Sequence, residues 1–154
     1  MFNAPVTRAL LILGIASLGG GPARAALGGD AASVLADGAE LHGAAHADVR
    51  PLYDIQEIAA DTGMRVREYL NRDGVVFAVS WSGPIMPDLQ HLLGTHYEAY
   101  TAALAALNHP GLHRSLRVAL PDLVVESGGH LRAYAGRAYL PLAVPAGVPT
   151  AELR

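Results

Sequence analysis

The chain lacks cysteine and lysine, lacks an apolar run long enough to cross a bilayer, and lacks a motif strong enough to name a reaction. Each absence excludes something. Without cysteine no disulfide can brace the fold, so it must close on its apolar core alone. Lipidation of a bacterial export signal, which requires a cysteine, is excluded as well. Fourteen acidic residues outnumber eleven basic ones, for a net charge of −3. The positive excess that supplies most of the affinity for nucleic acid or anionic membrane is therefore missing. All the basic residues are arginine. With the heavy use of alanine and glycine, this reads as coding bias.

The start of the chain has three parts. Arg8 stands near the amino terminus, an apolar run fills residues 9–18, and Gly19-Gly20-Gly21-Pro22 breaks any helix. Ala23-Arg24-Ala25 then supplies the small residues of a signal-peptidase site. The apolar run is about half of the roughly 20 residues that a spanning helix needs. Residues 1–25 therefore read as a cleavable signal peptide, cut between Ala25 and Ala26, and the mature protein as periplasmic or secreted with no stable membrane anchor after processing. Cleavage leaves 129 residues, one domain's worth. It removes Arg8 and Arg24, so nine basic residues face fourteen acidic ones and the net charge becomes −5.

Residues 26–50 read as a flexible N-terminal arm or short helix. Ala26-Leu27-Gly28-Gly29-Asp30 is a flexible start, and Ser33 can cap a short helix that Gly38 weakens. From Leu52 the texture changes. Residues 52–58 read as a strand, Asp61-Thr62-Gly63 as a turn, and residues 64–70 as a second strand. That strand places Met64, Val66 and Leu70 on one face and Arg65, Arg67 and Tyr69 on the other. After the turn at Asn71-Arg72-Asp73-Gly74, residues 75–82 are apolar at successive positions, as in a strand covered on both faces at its start. Pro87 suits the first position of a helix, with Asp88 in its first turn. Leu89, Leu92, Leu93, Tyr97, Tyr100, Ala103, Leu104 and Leu107 form one stripe at helical spacing. Residues 116–120 pair weakly at best. Residues 123–126 and 130–135 form a hairpin around Ser127-Gly128-Gly129. The expected architecture is α+β, an antiparallel sheet of about five strands, meander plus C-terminal hairpin, with one long helix packed on a face. It occupies residues 51–145 and is followed by a tail at 146–154.

The chain resembles a known family at Val76-Phe77-Ala78-Val79-Ser80-Trp81-Ser82-Gly83-Pro84, with Pro87-Asp88-Leu89 and Leu92-Leu93-Gly94 behind it. The likeness continues at Asp122-Leu123-Val124-Val125-Glu126-Ser127-Gly128-Gly129-His130, Arg132-Ala133-Tyr134 and Gly136-Arg137-Ala138, and extends to Ala26-Leu27-Gly28-Gly29 and Arg67-Glu68-Tyr69. It is similar to domain-of-unknown-function family 2844, small exported proteins of Gram-negative bacteria. The resemblance implies export and one compact domain. It implies no activity and carries over no functional residue.

Several residue sets offer chemistry and have a plainer reading beside it. His42 and His46 would share a helix face and could bind zinc or copper, but no third ligand lies near. The pairs His91/His96 and His109/His113 are weaker, one by its spacing and the other by Pro110 between its members. Ser80, Ser82 and Ser127 lie near glycines without forming a nucleophile elbow, and Ser127 reads as a hairpin residue. On the last strand His130, Arg132 and Tyr134 share a face by period two, and Glu68, Trp81 and Glu126 belong to strands that could lie beside it. These six form the candidate binding surface, for a small anion or a peptide. The plainer reading is an ion pair of Arg132 with Glu68 or Glu126, with Trp81 in the core. The sequence therefore points to a non-enzymatic binding or accessory module whose partner is an envelope protein or small ligand. No cofactor and no nucleic acid are implied. The alternative is a small periplasmic hydrolase or metal-dependent enzyme using histidine and glutamate groups.

Overall fold

The computed structural model describes residues 27–30, 43–107 and 115–154. The leader, the short helix expected after Ser33, His42 and the His109/His113 pair lie outside the described residues.

One antiparallel sheet holds seven strands: β1 (Gly43–Val49), β2 (Asp54–Ala60), β3 (Arg65–Leu70), β4 (Val76–Gly83), β5 (Ser115–Ala119), β6 (Val124–His130) and β7 (Ala133–Tyr139). The spatial order is β1-β2-β3-β4-β7-β6-β5. A four-strand meander ends at β4, and a helical excursion carries the chain to the far edge. Three more strands then meander back until β7 closes against β4.

This corrects the expected α+β architecture: the fold is mostly β, with seven strands where about five were expected. The strand missing from the sequence reading is β1. Its Gly-Ala-Ala-His-Ala-Asp-Val sequence is largely exposed at the sheet edge, so it shows no alternation of large apolar groups. The weakly pairing segment near residue 116 is a full edge strand, β5, paired along its length with β6.

The hairpin turn also moves. It falls at Leu131 and Arg132, where His130 pairs with Ala133, and Ser127, Gly128 and Gly129 lie inside β6. Arg132 takes the left-handed conformation with φ 67°. Gly129 is there for close approach, because a side chain would run into the backbone of Ala133 and Tyr134.

The helical stretch covers residues 89–106 and is broken. α1 (Leu89–Leu93) is followed by a 3-10 turn (Gly94–His96) and α2 (Tyr97–Ala106). Asp88 stands before the first turn as the N-cap, accepting from the backbone N–H of Gln90 at 2.9 Å and His91 at 3.2 Å. Gly94, at φ 52°, ends α1.

The helical layer covers one face of the sheet. Leu92, Leu93 and Tyr100 pack with Val66, Val79, Trp81, Val125 and Ala138 in a continuous core. Burial pushes the Tyr100 phenol above its ordinary pKa. Residues 27–30, expected to be loose, are tied in. Leu27 is fully buried in that core, its N–H donates to Leu92 O, and residues 28 and 29 bond with Val76.

The opposite face is covered only in part. Where β3 and β4 meet, the register slips at Tyr69/Leu70. This bulge directs both Phe77 and Ala78 to the second face, where they join Tyr69, Val124 and Tyr139. The segment 141–154 lies over this apolar strip, burying Val148 and Leu153. Burial of a leucine side chain contributes about 2 kcal/mol. Tyr53, Tyr69 and Phe77 form an aromatic triangle beneath it, with centroids 5.9 to 6.2 Å apart.

Candidate functional site

Three parallel rows of side chains cross the partly covered face, because residues paired across antiparallel strands point the same way. The first row, Ile55, Tyr69, Ala78, Tyr139 and Val124, is the apolar strip under segment 141–154. The next is polar on all seven strands. In register it reads His46, Glu57, Arg67, Ser80, Arg137, Glu126 and Arg117. The third row is small and open: Arg65, Ser82, Ala135, Gly128 and Ser115.

Two carboxylate-centred triads lie one on each side of Ser80, the first completed by Arg65 from the third row. Glu57 receives Arg67 Nε at 2.6 Å and Arg65 Nη1 at 3.2 Å. Glu126 receives Arg137 Nη2 at 2.6 Å and Arg117 Nε at 3.1 Å. One carboxylate between two guanidiniums leaves each triad with a net positive charge. The hydrogen bond from Arg67 holds the Glu57 carboxyl below its ordinary pKa, with the charges of Arg67 and Arg65 adding to it. The same contact raises Arg67. In the centre, the Ser80 and Tyr69 hydroxyls are 3.3 Å apart.

The two inner arginines also hold segment 141–154. Arg67 Nη1 donates to the main-chain oxygen of Arg154 and Arg137 Nη1 to the carbonyl of Thr150. Tyr69 adds a hydrogen bond to Arg154 O at 3.2 Å. The segment thus forms one wall of a trough whose floor is the small third row. The trough encloses about 790 Å³ and is lined by Arg65, Arg67, Arg117, Arg137 and Arg154 against the single carboxylate of Glu126. The outer arginines, Arg65 and Arg117, have side chains 61% and 64% exposed, whereas Arg137 is 22% exposed. A guanidinium is permanently charged and presents five donors in a planar fork suited to carboxylates and phosphates. Such an arrangement is suited to pairing with anions. A smaller recess of about 320 Å³, lined by His46, Asp48, Tyr53 and Glu152, lies on the other side of the same segment.

Of the six residues of the sequence-based surface, Glu126 and Trp81 both line the trough, and the other four stand outside it. Glu126 lies on the trough face, and His130 is exposed at the hairpin end of the same strand. Trp81 and Glu68 are buried among the helix-side core residues, in register with Val66 and Val79. Tyr134 pairs with Gly83 and Gly129, and Arg132 occupies the turn. The ion-pair partners of Glu126 are Arg137 and Arg117. Of the sites read from histidine spacing, His46 lies on β1 facing Glu57 and His91 lies on α1. Among the described residues no group of three or more histidines and acids could hold a metal ion.

Sequence reasoning missed Arg65, Arg67, Arg117 and Arg137 as a set. The available signal was the alternation of arginine with Val66 and Glu68 on β3. Its counterpart, Arg137 opposite Glu126, depends on a register that the misplaced turn conceals.

No curated protein and no solved structure matches the chain. Residues 23–153 match the family described as "Protein of unknown function (DUF2844)". The chain belongs to the DUF2844 family.

Proposed function

We propose that this protein is an exported, non-enzymatic binding module that takes an anionic ligand in the arginine trough. The supporting observation is the trough itself, lined by five arginines that share two carboxylates, Glu57 and Glu126, over a floor of serine, alanine and glycine. The chain as a whole carries a net charge of −3, so this cluster of guanidiniums stands against the overall sign. It attracts and orients an anion even though the whole molecule is acidic. The lining groups favour holding a ligand over transforming one, since arginine does not give up its proton at ordinary pH.

Two further observations support export. The family match begins at residue 23, past the apolar run. Leu27, two residues beyond the expected cut, is already part of the helix-side core, so cleavage after Ala25 leaves the first core contact in place. Amino-terminal sequencing of protein from the periplasmic fraction should begin at Ala26. An intact leader on protein recovered from the cytoplasm would contradict export.

The binding reading is tested by amide chemical-shift mapping during titration with small carboxylates and phosphates. Shifts should concentrate at Arg65, Ser82, Arg117 and Gly128. Shifts centred on the recess beside His46 and Asp48, or none at all, would overturn it.

A further inference from the structure

We infer that the trough accepts an extended acidic peptide segment of a partner, laid across the strands with one carboxylate at Arg65 and another at Arg117. This inference rests on the reading of the trough as the binding surface and names its ligand class. Arg65 and Arg117 are the charges best placed to be shared. Each is largely exposed and makes one contact of at least 3.1 Å to its glutamate, so most of its donors face solvent. The inner arginines are already committed to Glu57, Glu126 and main-chain oxygens of segment 141–154.

Four strand-to-strand steps separate β3 from β5. At about 4.8 Å per step, the outer arginines are rooted roughly 19 Å apart along the sheet. An extended chain covers that span in about six residues. The backbone groups of the floor are already paired within the sheet, so recognition falls to side chains. Ser82 stands on the floor between the two arginines and Ser115 beside Arg117 on β5, and both can meet the N–H and C=O groups of a crossing peptide.

Glu126 decides between classes of anion. It lines the trough between Arg137 and Arg117. A chain with a charge on every unit, such as a polyphosphate, would set one of its anions against this carboxylate. A peptide with separated acidic residues can instead offer it a backbone N–H. Trp81 lines the trough but is only 3% exposed and packed in the helix-side core, so it presents no open ring face for stacking. The molecule already seats its own segment 141–154 on the inner arginines, through main-chain oxygens of Thr150 and Arg154.

The test is fluorescence anisotropy with a labelled synthetic hexapeptide carrying glutamate at its first and last positions. The comparison ligands are the same peptide with glutamine at both ends, a peptide with the two glutamates adjacent, and tripolyphosphate as competitor. The full folded protein should bind the spaced-glutamate peptide in a salt-sensitive manner and bind the other two peptides at least tenfold more weakly. The double variant Arg65→Gln/Arg117→Gln should lose at least tenfold in affinity with an unchanged melting curve. Arg50→Gln, outside the trough, should bind as the parent does. Binding that survives the double substitution overturns the inference. Tripolyphosphate displacing the label at lower concentration than the unlabelled peptide also overturns it, while leaving the trough as an anion site. If no anion in the set binds the folded protein, the inference and the underlying reading both fall.

Discussion

Val66 and Arg67 are neighbours in the chain and face different environments. Val66 is 1% exposed beneath Leu92, Leu93 and Tyr100, in a layer sealed by the helical excursion. Arg67 stands on the other side of the same strand, between Glu57 and segment 141–154. The helix face is apolar throughout most of its width and is closed by a layer that crosses the sheet. The other face is apolar only along one strip, is closed only over that strip, and leaves its charged and small rows in the open. On the proposed reading, one sheet carries two tasks. Stability is concentrated on the helix face, and the arginine face, freed from that duty, can present ligand-binding groups.

The comparison breaks most visibly if Trp81 is truncated. Its indole fills the space above Gly136, where a side chain would collide with it. Trp81→Ala should cost about 4 kcal/mol by leaving a cavity in a rigid layer. Denaturant unfolding measures the loss; a cost below about 1 kcal/mol would show that the helix face is not the main source of stability. Leu153→Ala should cost less, about 2 kcal/mol, because segment 141–154 can settle onto the strip after the change. Amide exchange should quicken beneath that segment, around Tyr69 and Tyr139, and remain slow at Val66 and Val79.

Acid should weaken the arginine face first. The Glu57 carboxyl lies below its ordinary value of 4.5, chiefly through the hydrogen bond from Arg67. A depressed carboxylate contributes fully above its unfolded pKa, and that contribution is lost as pH falls through the folded value. Thermal melts of the parent and Glu57→Gln should therefore differ at about pH 7 and converge as pH falls through the depressed folded value. A gap that widens on acidification would contradict the ion-pair assignment. The smallest effect belongs to the outer arginines. Both are mostly exposed, and exposed pairs contribute about 0.5 kcal/mol or less. Arg65→Gln/Arg117→Gln should leave the melting temperature within a degree or two of the parent while removing anion binding, which separates the two tasks within one variant.

The helix face was largely legible in the sequence. The stripe from Leu89 to Leu104 and the alternation of Met64, Val66 and Leu70 are periodic signals, and the structure places both in the helix-side core. The break at Gly94 was not anticipated, since a stripe that continues across it gives no sign of a change in helical geometry. Edge strand β1 escaped because alanine and glycine leave no period to read. The trough was not legible for a different reason. It depends on Arg137 standing opposite Glu126 and Ser80, and that register follows from a turn at Leu131 and Arg132. Gly128 and Gly129 carry the composition of a turn, but they lie inside β6, and at Gly129 neighbouring backbone comes close. Placing the turn there shifts the pairing and directs attention to Arg132 and Tyr134, away from Arg137 and Arg117.

The open arginine face is tested most directly by arginine footprinting with phenylglyoxal, read by mass spectrometry of the folded protein with and without an anionic ligand. Arg65 and Arg117 should react fastest among the trough arginines and be protected by the ligand, with Arg67 and Arg137 slow in both states and Arg132 reactive throughout. Reaction at Arg65 and Arg117 as slow as at Arg137 in the free protein, or protection of Arg132 in place of the outer pair, would contradict the account.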